Sequence, residues 1–170
     1  MVASTRPDPI GTLAELVPGL MEGSGPDGGA LVGNQHVVTV PLGPQTFGNA
    51  TNYTAALFVA PVAGCYLKRV YLYCRVRPTD NSGDSEVNVI RRNVSGSADV
   101  QQLAAADFQP DDAMTNLVPY KLALTTTRQN RVAAAGDIWH ITWTGPTTYT
   151  TPPQDVAVTA VFIVPSVDAD

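Results

Sequence analysis

The longest stretch of strand character in the chain runs from Gly64 to Arg77, and along it apolar positions alternate with tyrosine and arginine. Side chains of a strand point to opposite faces in turn. Val70, Leu72, Cys74 and Val76 therefore share one face, and Arg69, Tyr71, Tyr73, Arg75 and Arg77 share the other. The first face suits a core. The second combines two residue types enriched at protein interfaces; as plain architecture it is a solvated sheet face with tyrosines lying beside arginine stems. Shorter segments of the same kind follow from Gln35 onward: His36 to Pro41, Tyr53 to Pro61, Glu86 to Arg92, the weaker Val100 to Ala106, Leu117 to Thr126, Ile138 to Thr144 and Asp155 to Val164. Val38 and Val40, then Val87 and Val89, then Val156, Val158, Ala160, Phe162 and Val164 supply inward faces at period two. Turn chemistry separates the segments at Pro61 to Gly64, Pro78 to Gly83, Asn93 to Ser97, Ala135 to Asp137 and Gly145-Pro146, with a longer loop from Phe108 to Thr115. About eight strands with no helical pattern between them predict an all-β fold, an antiparallel β-sandwich of jelly-roll type.

Residues 1–35 read differently and are expected to form an N-terminal arm, with residues 36–170 as the body. Asp8-Pro9 suits a helix start, and Ile10, Leu13, Leu16, Val17 and Leu20 recur at helical spacing until Pro18 and Gly19 stop the helix. A helix so short needs a surface to dock on. The stretch Glu22 to Gly29 is a linker by composition. These five apolar residues and the five of the Tyr/Arg face are the candidate interface.

Composition narrows the classes. At 170 residues the chain holds one domain with a proper core. Its net charge of −5, without a lysine- or arginine-rich block, argues against nucleic acid as a partner. No apolar run is long enough to span a bilayer and no signal-peptide layout opens the chain, so neither a membrane nor an export route is expected, and synthesis in the cytoplasm is. Cys65 and Cys74 fall in one strand on opposite faces, roughly 30 Å apart in extended chain, and read as free thiols.

A catalytic constellation is not found. His36 and His140 are the only histidines, and neither has a partner at metal-ligand spacing; His140, opposite Trp139 and Ile141, reads as a surface residue. No nucleophile elbow or phosphate-cradling glycine loop occurs. Asp111, Asp112 and nearby Asp107, with Asp80 and Asp84 in another loop, are oxygen donors of the type calcium takes, but without its loop spacing. No cofactor is expected. Trp139 and Trp143 share a strand face with Ile141 between them, which reads as core before it reads as a sugar-stacking platform.

Two stretches resemble small tailed-phage virion proteins. Leu57-Phe-Val-Ala-Pro61 followed by Gly64 to Tyr71 is similar to the opening of that group, an apolar strand, Ala-Pro, a short turn and a long strand. Ala134-Ala-Gly-Asp-Ile-Trp139 through Trp143-Thr-Gly145, with a valine-rich closing strand, resembles its final hairpin. The group includes capsid decoration (cement) proteins. The resemblance implies a jelly-roll body that forms a homotrimer on the major capsid protein, an arm that holds the shell or a neighbour, and a place on the capsid surface of the virion after assembly in the host cytoplasm. It brings no catalytic residues. The expectation is a non-enzymatic structural protein that decorates and stabilises a phage capsid. The alternative is a carbohydrate- or receptor-binding module of a phage tail, which requires exposed tryptophans.

Overall fold

The computed structural model describes residues 33–165 apart from 97, 106 and 107, so the arm residues Ile10, Leu13, Leu16, Val17 and Leu20 lie outside the described residues. The strands of the described residues pair antiparallel throughout, and helix is confined to single turns. The first sheet contains β1 (Gly33–Pro41), β3 (Cys65–Tyr73), β7 (Tyr120–Lys121) and β11 (Ala157–Pro165), in the order β1-β11-β3-β7. The short β8 (Val132–Ala133) also pairs with β3. The second sheet is β2-β9-β5-β6, formed by β2 (Asn52–Val59), β5 (Glu86–Arg92), β6 (Asp99–Gln101) and β9 (Ile138–Thr144). A two-stranded ribbon joins β4 (Thr79–Ser82) to β10 (Thr148–Thr151), and α1 (Pro110–Ala113) and α2 (Arg128–Arg131) are single helical turns.

The pairing is nested. β1 pairs with β11, β2 with β9, β3 with β7 and β5 with β6, each antiparallel. The chain thus runs out along β1, β2, β3 and β5, turns between β5 and β6, and returns beside itself. The ladders β11–β3 and β9–β5 then set these pairs side by side, two in each sheet.

Between the sheets lies one apolar core. Val70, Leu72, Val158, Ala160 and Phe162 come from the first sheet and Val87, Val89, Trp139, Ile141 and Trp143 from the second, all with no exposed surface. The Phe162 ring lies 4.5 Å from Phe58 and 5.0 Å from Trp139, which locks the two faces together. Burial of each such side chain stabilises by about 1.5–3 kcal/mol, and ring pairs add about 0.5–1.5. Trp139 and Trp143 also have their indole N–H groups satisfied, donating to Gln102 Oε1 at 3.2 Å and Tyr149 OH at 2.9 Å.

The side walls of the sandwich differ. Next to β6 and β7 the sheets are stitched by backbone bonds, Ala104 N to Ala123 O and Thr125 N to Gln102 O, both 2.8 Å, with a bridge between Leu103 and Leu124. On the opposite wall β1 and β2 are the terminal strands, in contact through His36 and Phe58, whose rings are 5.1 Å apart.

Several expected elements differ from those observed. The first described strand begins at Gly33 rather than at the expected His36. β3 is shorter than the stretch from Gly64 to Arg77 and carries a bulge: Arg69 faces Val161 and Leu67 faces Phe162, leaving Lys68 as the extra residue. A bulge shifts alternation by one. Lys68, which strict alternation places on the face of Val70, is therefore only half-buried, while Cys65, Leu67, Val70, Leu72 and Cys74 are all buried. The two cysteines consequently share the core rather than opposite faces, and both are free. The segment from Pro78 to Gly83, expected as a turn, forms β4; the turn itself falls at Gly83 to Ser85, where Asp80 Oδ2 accepts from Ser85 N at 2.5 Å and Gly83 adopts φ +76°. Only Tyr120–Lys121 of the expected strand from Leu117 to Thr126 pairs in the sheet. Leu117 at φ 63° and Pro119, which has no N–H to give, end the extended run before it starts.

Candidate functional site

The outer face of the β1-β11-β3-β7 sheet is assembled by the registers into rows. Pro41, Ala157 and Tyr73 lie side by side; next come Thr39, Thr159, Tyr71 and Lys121; then Val37, Val161 and Arg69; then Gln35, Ile163, Tyr66 and Val132. The Thr39 and Thr159 hydroxyls hydrogen-bond across the sheet at 2.9 Å. Tyr71 and Tyr73 are half-buried because β3 has neighbours on both sides, whereas Arg69 and Lys121 are exposed. None of these positions is a carboxylate, although the chain as a whole carries −5. The result is a gently basic surface of apolar, hydroxyl and tyrosine side chains, with Arg69 and Lys121 as its exposed cations. A shallow cleft lined by Pro41, Gln45, Asp155 and Ala157 opens at its Tyr73 end, and the face's mixture of aromatic area and few charges is of the kind enriched where proteins meet.

Arg69, Tyr71 and Tyr73 thus stand on this face as the alternation implies. Arg75 and Arg77 do not. They lie beyond the end of β3 and hold loops of the same chain. Arg75 Nε donates to Asp155 Oδ2 and its Nη2 to Gln154 Oε1, both at 2.5 Å. Arg77 Nη1 donates to the Asp111 carbonyl at 2.7 Å and Arg77 N to Asn116 Oδ1 at 2.7 Å. A guanidinium spent on its own loops is a fastening rather than a contact group. Leu117 and Val118, 61% and 52% exposed, lie on the loop that Leu117 N ties to the Cys74 carbonyl at 3.0 Å. The signal for this loop was Pro119, which interrupts the strand pattern around it.

The titratable groups elsewhere are held in structural roles. Burial pushes the Cys74 thiol up to about 11 and raises that of Cys65, so the reactive thiolate is disfavoured at both. His140 is half-buried rather than a plain surface residue; burial, and then Arg92, hold its imidazole below the usual range against the opposing pull of Asp99. Burial raises Asp80, opposed by its hydrogen bonds from Ser85 N and Ser85 Oγ. Asp84 accepts from Gln109 Nε2 at 3.0 Å. Asp107 lies outside the described residues, and among those described no three of His, Cys, Asp and Glu gather as a metal site. Ser85 Oγ meets Asp80 and the Tyr149 hydroxyl rather than a histidine.

No protein-family model matches the chain, and no curated protein matches it by sequence.

Proposed function

We propose that this chain is a non-enzymatic virion structural protein, which decorates and stabilises a phage capsid by laying the outer face of its β1-β11-β3-β7 sheet on the major capsid protein. The observation that carries this reading is the face itself, with Tyr71 and Tyr73 along β3, Arg69 and Lys121 exposed beside them and no carboxylate across its rows. A decoration protein needs such a surface and needs no reactive groups. The nested strand pairing supports a jelly-roll body, since a hairpin of four antiparallel pairs rolled into two sheets is the arrangement that type of sandwich requires. The arm is proposed as the second contact, docking its stripe on the shell or on a neighbouring copy.

The tail-module reading loses its chief support. Trp139 and Trp143 are fully buried between the sheets, so they offer no stacking platform.

The experiment is a copy-number measurement in purified particles from the source. A ratio to the shell protein near one, or a simple fraction of it, places the chain on the capsid lattice. A handful of copies, or none, overturns the decoration role.

A further inference from the structure

Among the described residues, β1 and β2 are the two long strands with one open edge each. An open edge is a template for pairing with another chain, and proteins blunt it by shortness, charge, proline, a bulge or a covering element. The edges on the stitched wall follow that practice: β6 has three residues and carries Asp99, and β7 has two and carries Lys121. β2 has a break in its register between Ala56 and Phe58. β1 has no such device within its length. Its nine residues, Gly-Asn-Gln-His-Val-Val-Thr-Val-Pro, include no Asp, Glu, Lys or Arg, and the proline comes last. Its register with β11 is unbroken from Gly33 to Pro41. Val37, at the midpoint, is 60% exposed.

We propose that β1 is an assembly edge, which pairs antiparallel with β1 of a second copy of this chain. The strand's own composition suits that occupant. An uncharged strand meets its copy without like charges opposite each other, which would destabilise the pair. Full overlap of nine residues sets the midpoint on a two-fold axis, so Val37 faces Val37 and Gln35 faces Thr39 of the other copy. Such a contact is isologous, the same patch serving both partners. It also joins the two outer faces into one, because Val37 and Thr39 already belong to the carboxylate-free rows. The inference rests on the edge alone and not on the virion role, and it replaces the three-fold assembly implied by the resemblance with a two-fold one.

The test uses the purified full-length chain with no shell present, so its failure is separate from failure of the decoration role. Light scattering after size exclusion should give twice the chain mass of 17.9 kDa. Val37→Lys places two ammonium groups on the axis and should halve that mass at equal concentration, with the near-ultraviolet signal of the buried tryptophans unchanged. Residues directly opposite in an antiparallel pair have Cα atoms about 4.5–5.5 Å apart, within disulfide reach. Val37→Cys should therefore give a disulfide-linked dimer under mild oxidation. Val94→Cys, at a position 71% exposed in the turn after β5, should not. Both native cysteines are buried and do not compete. A monomer at every concentration overturns the proposal. So does an oligomer that Val37→Lys leaves intact and that Val37→Cys does not cross-link.

Discussion

Asp137 is 2% exposed, and its carboxylate ties its own turn to the end of β5 and the turn after it. It is paired with Arg91 on β5, and it accepts from Val94 N at 3.1 Å and Ala134 N at 3.0 Å. Arg91 is itself 14% exposed at its side chain, so removing the acid strands a nearly buried cation. Asp137→Ala should cost about 3–5 kcal/mol in urea unfolding, mostly the penalty of the unpaired guanidinium. His140 makes a claim about pH. Its folded pKa lies below the unfolded value, so below about 6.5 the unfolded chain binds a proton that the folded chain refuses. The stability from this site is complete above that pH and is lost as pH falls through the folded pKa. Thermal midpoints between pH 7.5 and 5.5 should therefore drop more steeply for the native chain than for His140→Gln. The buried indoles make the third claim: emission from Trp139 and Trp143 should be blue-shifted and protected from added quencher, and red-shifted, quenchable emission would contradict the core.

At the scale of elements, β5 and β9 were legible to the residue, because their alternation is uninterrupted and each has turn chemistry at its ends. β3 was legible only in part. Its bulge is a property of the ladder with β11, and a single strand's pattern does not record where its partner has one residue fewer. β4 was hidden for the opposite reason: Thr-Asp-Asn-Ser has turn composition, and only pairing with β10 makes it extended. The outer face of the first sheet divides likewise. Alternation gave Arg69, Tyr71 and Tyr73, while Thr39, Thr159, Val161 and Lys121 join them through registers between distant strands. Arg75 and Arg77 looked identical to Arg69 in sequence; what distinguishes Arg75 is Asp155, 80 positions away. If the face binds the shell, the double variant Arg69→Glu, Lys121→Glu should lower retention on particles at least tenfold. Both side chains are exposed, so its unfolding free energy should stay within about 0.5 kcal/mol of the native chain.

For the whole molecule, the arm and the body are expected to separate cleanly at residue 32, just before β1. The fragment 33–170 should fold, with protected tryptophans, and should bind shells more weakly than the full chain. Equal binding would remove the arm from the function. The nested pairing also sets the tempo of folding. Thr39 and Thr159 meet across a separation of 120 positions, and contacts so distant in sequence make for refolding on a scale of about milliseconds to seconds.

The same arrangement has a consequence for biosynthesis. β11 is translated after every other described strand, yet it lies between β1 and β3 and supplies a ladder to each. Until it has cleared the ribosome, the two strands on either side of it have an unfilled gap between them, and their apolar faces are open to other nascent chains and to chaperones. A premature stop anywhere before β11 leaves the first sheet without its middle, so a truncated product should be a substrate for proteolysis rather than a smaller working protein.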